Sequence, residues 1–139
     1  MKIGRGFTLA ELLTVILIVG VLAAVLLPVM RGRVETAKWA EAQAAAGTIR
    51  TAVRAYVMEK GDAYDYSAIE GSMGEPSIQQ AFGFTATDLD GAYFNQSDYV
   101  ISDVAVSPPS CTVTITSSHD NGPGGAGTLD NTGGWSVSR

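Results

Sequence analysis

Glu11 is the one charged side chain in the 24 residues from Phe7 to Met30. A carboxylate in the middle of lipid costs about 2.5–3.5 kcal/mol even on lenient insertion scales. Glu11 therefore needs a partner, and the chemistry open to it is that of a counter-charge. A second set of oxygen donors, Asp120, Asn121, Asp130 and Asn131, lies in the stretch from Ser117 to Trp135, where six of nineteen residues are glycine. Calcium takes carboxylate, amide and carbonyl oxygens, and glycine lets a chain wrap closely around it. The EF-hand spacing is absent. Cys111 and His119 are each the sole residue of their type. An intramolecular disulfide is thus excluded, and so are catalytic sets built from several cysteines or histidines. The simplest roles are a small strand residue for Cys111 and a solvated loop residue for His119. The reading is non-enzymatic.

The elements that must carry these groups follow from pattern. The run from Phe7 to Met30 exceeds the roughly 20 residues that span a bilayer as a helix. A secretory signal would be shorter and end in a small-residue cleavage site, so a retained anchor is expected. Val34 to Lys60 is rich in good helix formers. Its residues Ala45, Ile49, Ala52, Val53, Tyr56 and Val57 recur at three- and four-residue spacings as one apolar stripe. Gly61 is the expected stop. Together these predict one helix of some fifty residues, with a kink or local unwinding at Pro28.

Beyond Gly61 the chain changes character. A short helix is expected at Ser77 to Phe82, and strands at Tyr99 to Val106, Cys111 to Ser117 and Trp135 to Ser138. In the second strand Val113 and Ile115 alternate with threonines, as on a sheet with one buried face. Pro108 and Pro109 are placed in the connection. Tyr64, Tyr66, Tyr93, Phe94 and Tyr99 are assigned to core packing. The predicted fold class is α+β: one long N-terminal helix packed on a small antiparallel sheet head. The divisions are 1–6 as a leader, 7–30 as the apolar helix, 31–60 as its amphipathic continuation, and 61–139 as the head with a glycine-rich loop at 117–135.

Charge divides the chain as well. Residues 1–60 hold eight Lys/Arg against four Asp/Glu, whereas residues 61–139 hold Arg139 against ten acids. An acidic head speaks against nucleic acid as a partner. Lys2 and Arg5 favour a cytoplasmic N-terminus and a head outside, an orientation that Arg31 and Arg33 weaken.

Gly6-Phe7-Thr8-Leu9-Ala10-Glu11-Leu12-Leu13 resembles the processing site of type IV prepilins and of the pseudopilins of type II secretion. The match is close from Gly4 to Ile18, and Pro28 falls where many pilins have a proline. The resemblance implies that a prepilin peptidase cuts after Gly6 and that the new amine of Phe7 is methylated. It also implies that Glu11 receives that amine from a neighbouring subunit, and that the helix serves first as inner-membrane anchor and then as filament core. Implied partners are further copies of the chain, the peptidase and N-methyltransferase, an inner-membrane assembly platform, and minor pilins or pseudopilins. The loop is similar to the calcium loop of major pseudopilins, which implies Asp120 and Asp130 as ligands, with carbonyls around Ser117 and Ser118. Two readings are carried forward: a pilin-like filament subunit, and a single-span anchored protein that binds a ligand or calcium outside the cytoplasm and never polymerises.

Overall fold

The computed structural model describes residues 6–138; residues 1–5, on which most of the expected leader falls, and Arg139 lie outside the described residues. The element order is α1 (Leu9–Lys60), β1 (Gly71–Ser72), α2 (Pro76–Phe82), β2 (Tyr99–Val106), β3 (Pro109–Ile115), β4 (Ala126–Leu129) and β5 (Trp135–Ser138), with 3-10 turns at Tyr66–Ile69 and Gln96–Asp98. The five strands form one antiparallel sheet in sequential order. This is the α+β, pilin-like architecture that the sequence predicts. By compactness the chain divides into one unit ending at Thr36 and one beginning at Ala37.

In the first unit α1 continues through Pro28 without a break, so of the expected kink or local unwinding the unwinding is not found. Proline costs this helix the N–H that would serve the carbonyl of Ala24, without ending it. In the second unit α1 buries Trp39, Ala42, Ala46, Ile49, Val53 and Val57. That stripe shares Ile49, Val53 and Val57 with the predicted one and takes Trp39, Ala42 and Ala46 in place of its other members. Ala45, Ala52 and Tyr56 are only half-buried at its margin, and the bulk of Trp39 sets the angle. Gly61 ends α1 at φ +73°, and the Tyr66 hydroxyl donates to its carbonyl at 2.6 Å.

Period-two patterning builds the sheet face that covers this stripe. Tyr99 and Ile101 of β2, Cys111, Val113 and Ile115 of β3, and Leu129 of β4 are all buried. The register stacks them in cross-strand rows: Tyr99, Ile115, Gly127 and Val137 in one, Ile101, Val113, Leu129 and Trp135 in the next. Gly127 has to be glycine, because a Cβ there would run into the Trp39 ring at 2.6 Å and the Trp135 ring at 2.7 Å. The two indoles meet over it with centroids 6.1 Å apart.

Three further sequence expectations need correction. Pro109 opens β3 instead of lying in the connection, at the strand-initial position where a missing donor is tolerated. The loop 117–135 contains β4, which glycine content hides. Of the aromatics assigned to the core, Tyr66, Phe94 and Tyr99 are buried, whereas Tyr64 is 39% exposed.

Cys111 is fully buried, and burial pushes its thiol up to about 11. The thiolate is the nucleophile, so Cys111 is expected to resist iodoacetamide in the native chain and to react once the head is unfolded in urea. Mass-shift labelling checks this, and rapid native labelling would contradict the packing.

Candidate functional site

The site begins where α1 begins. Thr8 stands at the helix N-cap and Glu11 three residues on, and each side chain serves the other's backbone. Glu11 N donates to Thr8 Oγ1 at 3.2 Å, while Glu11 Oε2 accepts from Thr8 N at 2.9 Å and from Thr8 Oγ1 at 2.7 Å. This is a capping box, which satisfies orphan donors of the first turn. It also holds a negative charge at the positive end of the helix dipole. The Glu11 carboxylate is therefore compensated within its own chain and held toward Phe7. Sequence reasoning missed this role although Thr-x-x-Glu before an apolar run is its signature.

From Phe7 onward the helix is apolar and uncovered. No large apolar side chain between Phe7 and Val34 is buried, the most covered being Val34 at 47% exposed. At about 1.5–3 kcal/mol for each such side chain taken out of water, leaving them all wetted costs tens of kcal/mol. Polar groups in the run are satisfied within the helix, as where Thr14 Oγ1 donates to Ala10 O at 2.8 Å. This is one helix long and apolar enough to cross a membrane. Gly6 and Phe7, the predicted processing residues, are both exposed, and a Cβ on Gly6 would meet nothing.

The second candidate, residues 117–135, is held by bonds of its own. Asp130 Oδ1 accepts from Thr132 N at 2.9 Å, Thr132 Oγ1 at 2.6 Å and Gly134 N at 2.7 Å. The Thr132 hydroxyl first, then the Gly134 N–H, holds its carboxyl below the ordinary aspartate value. Arg50 of α1 donates to Asn131 O at 2.8 Å and packs where Gly133 leaves room. Ser117 Oγ donates to Tyr93 O, and Ser118 Oγ accepts from Asn95. His119, expected to be solvated, is half-buried and pairs through Nε2 with Asn95 Oδ1 at 3.0 Å. For a calcium ion the segment offers Asp120, the second oxygen of Asp130 and backbone carbonyls. Among the described residues no three His, Cys, Asp or Glu side chains gather as a metal site.

Asp130→Ala is expected to lower the melting temperature of the head. Because the folded carboxyl lies below its unfolded value, its contribution is present above the unfolded pKa and is lost as the pH falls through the folded one. Asp130→Asn should accordingly show a shallower loss of stability in acid than the parent chain, measured by thermal melts across the acid range.

A long N-terminal helix, bare and apolar in its first unit and covered by a five-stranded antiparallel sheet in its second, defines the pilin-like class of architecture. Among curated proteins the chain is similar to fimbrial protein EcpC of Eikenella corrodens, with 42% identity over 60 residues, 43% of this chain and 39% of that protein. The matched stretch thus spans well under half of that relative's length. No family profile matches the chain, and no solved structure matches it.

Proposed function

We propose that this chain is a structural subunit of a pilin-like filament. It is cut after Gly6, held in the inner membrane by residues 7–30 with its head outside the cytoplasm, and then polymerised through the same helix. The observation that carries the reading is the uncovered apolar face from Phe7 to Val34, opened by a carboxylate fixed beside the first residues of the helix. Lipid covers such a surface before assembly, and neighbouring helices cover it after. Small residues such as Gly20, Ala23 and Ala24 favour close helix approach. The likeness to a fimbrial protein supports the same class.

In this reading Glu11 has two successive partners. In the single subunit it is the Thr8 cap; in the filament it is the amine that cleavage creates on Phe7 of a neighbour. The peptidase and methyltransferase, the assembly platform and minor subunits are the partners that such a route requires. Major pilin and type II secretion pseudopilin are both forms of it. Calcium at Asp120, Asp130 and the carbonyls of Ser117 and Ser118 is a separate proposal: excess calcium should raise the melting temperature over that in chelator, and an unchanged value would remove it.

The experiment is an intact mass with N-terminal fragmentation on protein taken from the native envelope, together with electron microscopy of sheared cell-surface material. The expected chain starts at Phe7, one methyl group heavier, and is recovered in filaments. A chain that retains residues 1–6 in peptidase-competent cells would overturn the reading. It would leave the anchored, non-polymerising protein as the account.

A further inference from the structure

The C-terminal end of α1 carries a contact that the filament reading does not use. Tyr56 lies four residues before the end of the helix, and Tyr64 three residues past the Gly61 stop. The Tyr56 hydroxyl donates to the Tyr64 hydroxyl at 3.0 Å. The two rings meet edge to face, with centroids 5.8 Å apart and planes at 78°. The bond to Tyr64 first, then burial, pushes the Tyr56 hydroxyl up to about 12, so at neutral pH Tyr56 keeps its proton.

The chain has five tyrosines, and among the described residues this is the pair whose hydroxyls meet. Tyr66 is closer to Tyr64 by ring centre, at 5.2 Å. It is buried, however, and its hydroxyl is turned to the carbonyls of Gly61 and Val57. Tyr99 has no exposed surface. Tyr93 lies apart from the other tyrosines, with Lys38 Nζ 5.3 Å from its ring centre. Tyr64 is exposed and Tyr56 half-buried, so a reagent in solution reaches this pair first.

We propose that Tyr56 and Tyr64 form an oxidative cross-linking site, at which a peroxidase-type one-electron oxidant joins the two rings as dityrosine. Each phenol gives up one electron and its hydroxyl proton. The two phenoxyl radicals then pair, forming a carbon–carbon bond between the Cε positions beside the hydroxyls. Each bonded carbon passes its hydrogen, as a proton, to its own oxygen. Two hydrogens leave in all, and one hydrogen peroxide is reduced to two waters. In the product the hydroxyls flank the new bond within hydrogen-bond reach, on rings twisted out of one plane, and the native pair already approaches that arrangement. Bonded rings lie closer than 5.8 Å, so one of them has to swing inward. Tyr64 is free to do so, because it sits on the exposed turn after the helix stop and exposed side chains change rotamer within nanoseconds. The bond closes residues 57–63 into a ring around Gly61. A chain with one cysteine has no disulfide of its own, and this link restricts the unfolded head in the same way. The site belongs to the head alone and stands whether or not the chain polymerises.

The test treats the full chain in detergent with a peroxidase and hydrogen peroxide, and digests the monomer band of a denaturing gel. Trypsin cuts after Lys60, and an aspartate-specific protease cuts before Asp62 and Asp65. Residues 55–60 and 62–64 are then separate peptides unless a bond joins them. The expected main tyrosine product is that joined pair, lighter than the sum of its parts by two hydrogens, together with dityrosine fluorescence in the monomer. Y64F should abolish the joined pair, and Y93F should leave it at parental yield. A main product between other tyrosines, coupling mostly between chains as dimers, or peroxide consumed without any coupling would each overturn the proposal. So would a Y64F chain that keeps the parental fluorescence. The mapping on the parental chain stands without any variant having to fold.

Discussion

Ile49→Ala is expected to destabilise the head by about 3 kcal/mol, within the range of about 2–5 kcal/mol for removing a buried isoleucine down to its Cβ. Ile49 stands mid-stripe on α1 with no exposed surface, inside the cluster that joins the helix to Ile101, Val113 and Ile115. Neighbours on a helix backbone and a hydrogen-bonded sheet cannot close inward over the space it leaves, so a cavity term adds to the lost transfer energy. Val100→Ala is the control. Val100 is 41% exposed on the outer face of β2, and a change there should cost within about 0.5 kcal/mol. Urea unfolding of the full chain in detergent, followed by the fluorescence of Trp39 and Trp135, measures both. Trp39 and Trp135 sit on the packed side of the head, so they report loss of this core and not of the apolar first part of α1. Equal effects for the two variants would mean that α1 does not pack on the sheet through this stripe.

The long helix, its glycine stop and the alternating strands are legible because each rests on a local rule. Gly61 takes a positive φ, and Thr112 and Thr114 alternate with buried neighbours. The angle of the buried stripe is less legible. Between Ala37 and Val57 alanine occurs on several faces of the helix, so periodicity has little contrast, and what selects one face is Trp39 meeting Phe94 and Trp135 across the sequence. The strand Ala126–Leu129 is illegible for a related reason. Gly127 reads as loop, yet its missing side chain is what admits two indole rings. The same holds for Pro109, which pairs with Val106 at the mouth of a hairpin. The site is the reverse case. Both halves of its local geometry, Thr8 and Glu11, are written in the sequence, but a search for what neutralises a carboxylate in lipid looks to another subunit and passes over the residue three positions away.

The double role proposed for Glu11 carries the largest expected functional effect. Glu11→Gln keeps the length and an acceptor for Thr8 but removes the charge. In the filament it would leave the Phe7 amine facing a neutral group in an apolar core, and stripping one partner from a buried charge pair costs about 3–5 kcal/mol. The expected result is a fall of at least about hundredfold in filament relative to membrane-bound subunit, with membrane-bound subunit at its parental level, since a neutral side chain is cheaper in lipid. Thr8→Val removes the hydroxyl and leaves the carboxylate. It should cost about 1 kcal/mol, the usual worth of an N-cap, and reduce filaments only about fivefold. The separation between the two variants is the decisive quantity. If Glu11→Gln does no more harm than Thr8→Val, Glu11 is a helix cap and nothing besides, and the pairing of amine and carboxylate between copies has to be abandoned. If the glutamine chain stops assembling while the valine chain continues, the charge of Glu11 is required between subunits, and the capping box is the way a lone subunit keeps that charge satisfied until a neighbour arrives.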